Sequence, residues 1–255
     1  MDDLNAYTVC INTTNRALVC MCLCRLFSHQ GTEEVRGWFQ KEIIAPLEKH
    51  GLYMRLVLVA VEGNRAHMPG PLVGALALRA YTMGADYIYR ISDDTEFKER
   101  WPLLFVEALQ SLQNPPLVGV VGPVVSAEER TVTLRHDFVH RTHMDIFSRH
   151  YYPHSLSEMG MDKWMSRVYG RNRTFVASGV SIIQGETSNQ PMNTFIPDER
   201  ITDLIVLGKK KLLSFLRKNT SSVDDISSVV AEFESPFAAL SQKLKSYPVD
   251  ANEAE

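Results

Sequence analysis

Hydrophobic positions fall into short continuous runs separated by longer amphipathic stretches. Residues 7–11 read as a β-rich run, closed by the polar turn Asn12-Thr13-Thr14-Asn15-Arg16. Residues 17–27 read as a helix. Residues 33–50 read as a longer one, with Val35, Trp38, Phe39, Ile43, Ile44 and Leu47 near helical spacing. Pro46 weakens its last turn, and Gly51 ends it. The unbroken apolar run 56–61 predicts a strand buried on both faces. A loop from Gly63-Asn64-Arg65 to Pro69-Gly70-Pro71 leads into a helix over 72–83, whose Gly74, Ala75, Ala77 and Ala80 suit close packing on a sheet. Gly84 stops that helix, and 86–91 is the next strand. Strand, helix and strand with short connections make a βαβ unit. A helix over 101–112 and a strand over 117–121 continue the pattern. The fold class predicted is α/β, an open and mostly parallel sheet flanked by helices.

Past Val125 the pattern changes. Residues 131–152 are polar, aromatic and rich in histidine, and helices follow near 162–169 and over 201–217, the latter carrying Lys209-Lys210-Lys211. That lysine run reads as a solvated helix face. Residues 5–217 form the α/β domain, and 218–255 a polar and acidic extension with a short helix at 237–245 and an acidic tail at 249–255.

The chain has 255 residues, 45% hydrophobic and 22% charged, which places it among ordinary globular proteins rather than disordered or fibrous ones. Lys+Arg 27 against Asp+Glu 30 gives a formal charge of −3, so there is no broad basic field to hold a nucleic-acid backbone. No run reaches the roughly 18 apolar residues of a membrane span. Cys10, Cys20, Cys22 and Cys24 lack zinc-site spacing and read as packed, reduced thiols. Three Asn-x-Ser/Thr sequons, at Asn12, Asn172 and Asn219, keep a secretory route through the ER and Golgi open beside a cytoplasmic one.

The sharpest chemistry is Ser92-Asp93-Asp94-Thr95-Glu96, directly after the strand at 86–91. In open α/β sheets, ligands bind beyond the carboxyl ends of strands. Three carboxylates there are hard oxygen donors suited to Mg²⁺ or Mn²⁺ shared with substrate phosphates. A solvated acidic turn, or a helix cap at Asp93, is the plainer alternative. The run His136-Asp137-Phe138-Val139-His140-Arg141-Thr142-His143 places His140 and His143 at helical spacing, but the metalloprotease pattern is absent. With Tyr151, Tyr152 and Trp164 it reads either as the lining of a sugar or acceptor pocket or as ordinary aromatic packing.

The order Gly63-Asn64-Arg65, a helix rich in small residues, Gly84-Ala85-Asp86-Tyr87, a strand and Ser92-Asp93-Asp94 resembles the GT-A fold glycosyltransferases of the broad family 2 type. The resemblance spans about 7–217 and is closest over 64–121. Residues 8–16 are similar to that family's first strand and nucleotide loop, with Asn12 in place of a proline and Thr14 in place of a tyrosine. Met161-Asp162-Lys163-Trp164 resembles the motif that supplies its catalytic base, with Met161 where an acidic residue is common. The resemblance implies a metal-dependent, inverting hexosyltransferase that uses a nucleotide-diphosphate sugar, with a UDP-sugar favoured, and a glycan, protein or lipid acceptor. Asp162 would be the base, Asp94 and Glu96 the ligands of Mn²⁺ or Mg²⁺, and Asn15, Asn64, Arg65 and Asp93 the donor contacts. Many relatives carry a late metal-binding histidine, and no histidine follows His154 here. The alternative is a degenerate GT-A domain that binds without catalysing.

Overall fold

The computed structural model describes residues 4–12, 18–27, 29–49, 54–61, 69–91, 95–97, 101–124, 134–156, 158–184 and 198–220. The chain enters on a hairpin in which β1 (Leu4–Asn12) pairs antiparallel with β2 (Leu18–Phe27). The helix expected over 17–27 is thus a strand. Residues 18–24 are apolar without a break, and such a run carries no period that separates helix from buried strand. Its seat between two other strands decides the matter.

Next, α1 (His29–Phe39) passes through a π-helical turn, Gln40–Ile44, into α2 (Ala45–Lys49). Pro46 has no N–H for the carbonyl of Glu42, and its ring crowds that oxygen. The ladder widens just before it, where the Ala45 N–H donates to the Gln40 carbonyl. Phe39 and Ile44 are buried, but Trp38, expected on the same face, is 57% exposed.

The strand–helix–strand unit is realised as β3 (Met54–Val61), α3 (Pro69–Thr82) and β4 (Tyr87–Ile91). β1 runs antiparallel to β2 and β3, and β2 runs parallel to β4, so β3 and β4 point the same way. They are not neighbours: β1 and β2 lie between them, and α3 packs across all four strands. Its buried Val73, Leu76, Ala77 and Ala80 form one stripe at i, i+3, i+4 and i+7. Gly74 lies off that stripe, and a Cβ there would meet nothing within 4 Å, so its smallness serves no packing.

The rest comprises β5 (Thr95–Phe97), α4 (Trp101–Ser111), β6 (Val120–Val124), β7 (Asp137–His140), α5 (Thr142–Ile146), α6 (Glu158–Tyr169), β8 (Thr174–Gln184) and α7 (Asp198–Asn219). β6 begins later than the strand expected at 117–121 because Leu117 sits at φ 66, in the left-handed region. Among the described residues the sheet runs β3-β1-β2-β4-β7-β6-β8-β5. Only β2–β4 and β6–β8 pair in parallel; β1–β2, β1–β3, β4–β7, β6–β7 and β5–β8 are antiparallel. The sheet is therefore mixed rather than mostly parallel, because the first hairpin and the returning strand β7 are inserted among the parallel ones. β8 pairs with β6 through its first half. After a register shift opposite Pro123 and Val124 it goes on to pair with β5.

Helices cover both faces of this open sheet. α3, α6 and α7 bury a large cluster that includes Leu76, Trp164 and Leu212, while α4 covers the other face with Trp101, Phe105 and Leu109. Arg173, just before β8, ties down the turn between α4 and β6. Its guanidinium donates to the carbonyls of Gln113, Asn114 and Val118 at 3.1, 2.6 and 2.8 Å. No helix among the described residues is long and apolar enough to cross a membrane.

α6 and α7 touch at Gly208, where an added Cβ would lie 2.7 Å from Val168 Cγ2 and 3.1 Å from Trp164 Cζ2. The Trp164 N–H donates at 3.1 Å to the Leu204 carbonyl, one turn earlier on α7. Gly208→Val is expected to cost about 1–3 kcal/mol of unfolding free energy by overpacking. That exceeds the gain of roughly 0.5 kcal/mol from replacing a mid-helix glycine with valine. Gly37→Ala in α1, where nothing lies within 4 Å, is the control and should be neutral or stabilising in urea unfolding.

Candidate functional site

β4 is buried at every position, yet its fourth residue is Arg90. A guanidinium in such a place needs partners, since an isolated buried charge is costly. The β4–β7 register sets Asp137 directly opposite, and Arg90 Nε donates to Asp137 Oδ2 at 2.8 Å. Nη2 donates to Asp162 Oδ1, on α6, at 2.5 Å. Tyr151 Oη donates to Asp137 Oδ1 at 2.6 Å, and Tyr152 Oη donates to Oδ2. The Tyr152 ring also lies 5.7 Å from the Arg90 guanidinium carbon. Burial opposes the charge on Arg90, but Asp137, Tyr152 and Asp162 outweigh it and hold the guanidinium charged. Burial likewise keeps the Tyr152 phenol well above its ordinary range.

Two carboxylates share one guanidinium, and they differ in setting. The Asp137 side chain is 0% exposed and that of Asp162 15%, so Asp162 is the member of the cluster that reaches toward solvent. Arg90 therefore fixes the orientation of the Asp162 carboxylate and links α6 to the strand that leads into Ser92-Asp93-Asp94.

The histidine-rich stretch is structural over most of its length. His143 is buried, and its Nε2 lies 2.9 Å from the Tyr151 carbonyl, an acceptor only, so Nε2 carries the proton. Tyr169 Oη then donates to Nδ1 at 2.8 Å. Burial lowers this imidazole to about 4. His140 ends β7 while His143 lies in α5, so the pair does not share a helix face as its spacing suggested. The Thr142 N–H donates to His140 Nδ1 at 3.3 Å, which fastens the first turn of α5. Tyr151, Tyr152 and Trp164 are fully buried among His143, Phe147 and Tyr169, so they form packed core.

His136 differs. It is buried at the start of β7, beside Asp137, yet neither ring nitrogen meets a hydrogen-bond partner among the described residues. Burial first, then Arg90 and Arg135, lower it to about 3, so the ring is neutral. Its backbone is pinned, because a Cβ on Gly122 would come within 2.5 Å of the His136 carbonyl oxygen.

Of the residues singled out from sequence, Asp162 and Glu96 fall in described elements. Glu96 is exposed on β5, opposite Ile183 of β8. Asn15, Asn64, Arg65, Asp93 and Asp94 lie outside the described residues. Strand direction still orders the segments that carry them. β3 and β4 end at one edge of the sheet, and there the segments bearing Asn64-Arg65 and Asp93-Asp94 begin. β1 ends, and β2 starts, at the opposite edge, so the segment with Asn15 departs from and returns to that other edge. Among the described residues no three His, Cys, Asp or Glu side chains gather as a metal site would.

Sequence reasoning missed Arg90 as the partner of Asp162, and Asp137 as the second carboxylate on that guanidinium. The signal was present, a lone arginine inside Tyr87-Ile88-Tyr89-Arg90-Ile91 and a lone aspartate heading Phe138-Val139. Comparison with known proteins returns no matching family model, curated protein or solved structure.

Proposed function

We propose that the chain is a GT-A-like glycosyltransferase that moves a sugar from a nucleotide-diphosphate donor to an acceptor hydroxyl with inversion. The observation that carries this reading is the 2.5 Å bond between Arg90 and Asp162, which links the base candidate to the strand leading into Asp93 and Asp94. In this reading the Asp162 carboxylate takes the proton from the acceptor hydroxyl while the oxygen attacks the anomeric carbon. The bond from that carbon to the diphosphate breaks on the opposite face. Asp93 contacts the ribose or donor sugar, and Asn64 and Arg65 approach the nucleotide from the end of β3. Asn15 is left out, because its segment belongs to the other edge of the sheet.

Asp94 and Glu96 would hold Mn²⁺ or Mg²⁺. The donor set fits such an ion, with hard carboxylate oxygens in the sequence after β4 and, beside that strand's end, the buried His136 imidazole without a hydrogen-bond partner among the described residues. When bound, the ion supplies charge neutralisation on the departing diphosphate.

A binding module without transferase activity is the second reading. It is favoured by the same ion pair, which engages Asp162 in a structural network, and by buried Met161 beside it. Calorimetric titration of UDP and GDP with Mn²⁺ or EDTA separates the two when combined with a transfer assay. The transferase reading expects metal-dependent nucleotide binding that Asp94→Ala abolishes. Asp162→Asn should keep that binding but lose roughly 10²–10⁴-fold in transfer. Nucleotide binding without any transfer would favour the module, and binding indifferent to Asp94→Ala would sink the site assignment.

A further inference from the structure

We propose that His150 and His154, in the turn between α5 and α6, form a binding site for a transition ion of the Zn²⁺, Ni²⁺ or Cu²⁺ type, which takes one nitrogen from each ring. The site draws on neither the acidic segment after β4 nor Asp162, so it stands or falls apart from the transferase reading. The first support is spacing. Both residues are exposed, and their ring centroids lie 5.1 Å apart with the planes tilted by 52°. Two imidazoles on one ion, with metal–nitrogen bonds of about 2.0–2.1 Å and a near-tetrahedral angle between them, have centroids about 5 Å apart. The two rings thus already sit at the separation that a shared ion requires.

The second support is the tautomer of His150. Its Nδ1 lies 2.9 Å from the Ser148 carbonyl and 3.3 Å from that of Phe147, and a carbonyl only accepts, so Nδ1 carries the proton. In the neutral ring this leaves the lone pair on Nε2. A metal-bound histidine is usually held in this way, with its other N–H given to an acceptor such as a backbone carbonyl. The third is a frame that holds its shape without the ion. Tyr151 and Tyr152, between the two histidines, are wholly buried and hydrogen-bonded to Asp137. The His150 N–H donates at 3.2 Å to the carbonyl of buried Phe147, and the His154 carbonyl oxygen lies 3.4 Å from where a Cβ on Gly70 would stand, at the start of α3. Two ligands carried on one fixed turn lower the ordering cost of binding. Imidazole nitrogens select Zn²⁺, Ni²⁺ and Cu²⁺ over Mg²⁺, which prefers oxygen. The remaining positions on the ion go to water.

Zn²⁺ titrated by calorimetry into the full chain without a polyhistidine tag, with Mg²⁺ in excess, tests this directly. Binding should persist in Mg²⁺, and His150→Gln and His154→Gln should each weaken it about 100-fold, because each turns a two-point attachment into one. Both positions are exposed, so urea unfolding of the metal-free variants should stay near that of the wild type. In the ¹⁵N-histidine spectrum of the wild type, Zn²⁺ should move the His150 Nε2 resonance while Nδ1 keeps its proton. Binding that one variant loses and the other keeps overturns the shared site. Binding that both keep, displacement by Mg²⁺, or absence of Zn²⁺ binding overturns it as well. Asp94→Ala, which tests the transferase reading, should leave this Zn²⁺ binding intact.

Discussion

Arg90→Ala is expected to lower the unfolding free energy by about 3–5 kcal/mol, more than overpacking at Gly208 would cost. The alanine leaves Asp137 wholly buried with the Tyr151 and Tyr152 hydroxyls as its side-chain partners among the described residues, and Asp162 loses the group that orients it. Arg90→Lys should recover little. One ammonium cannot reproduce a planar group that donates from Nε to one carboxylate and from Nη2 to another. Asp162→Asn should cost less, because its side chain reaches solvent and the Arg90–Asp137 contact survives. Urea unfolding of the three variants checks the order. A cost below about 1 kcal/mol for Arg90→Ala would show that the network is not needed for folding.

Acidification from pH 6.5 to 5 should destabilise the protein. His136 and His143 are neutral when folded, lowered by burial to about 3 and about 4, against 6.5 for an exposed histidine. As pH falls below 6.5 the unfolded chain takes up these protons and the folded one does not. Unfolding is then favoured by up to about 1.4 kcal/mol per pH unit for each ring. Together they give a slope averaging about 2 kcal/mol per pH unit between pH 6.5 and 5, steepening toward the lower end. His140, lowered by burial as well, adds in the same direction. Above pH 7 this contribution is fully present and flat. Urea midpoints measured across that range should show the slope, and His143→Gln should remove about half of it. A flat profile would mean that these rings accept protons in the folded state.

The middle of the fold was legible because its signals were local. The runs that became β3 and β4 are mostly apolar and β-rich, and the helix between them stops two residues short of Gly84, whose φ of 88 suits glycine. β2 was not legible. Its sequence fits a buried helix as well as a buried strand, and only pairing with β1 and β4 selects the strand. Strand direction was hidden for the same reason, since it is a property of pairing rather than of any segment. At the site, Asp162 could be named from a short motif. The ion pair to Arg90 spans 72 positions of sequence, and that of Arg90 to Asp137 spans 47. No periodic pattern reports contacts at that range. What sequence does offer is the anomaly of a charge inside an apolar strand, which asks for a partner without saying where it lies.

The position of the first hairpin has a consequence for how the chain tolerates change at its start. β1 and β2 come first in the chain but occupy the interior of the sheet, flanked by β3 and β4. Trimming residues through Phe27 would therefore not shorten an edge. It would part the sheet, leave the backbone groups of β3 and β4 facing each other across a two-strand gap, and remove half of the floor on which α3 rests. During folding the same arrangement delays closure, because the hairpin gains its second flank only when β4, about 60 residues further along, reaches it.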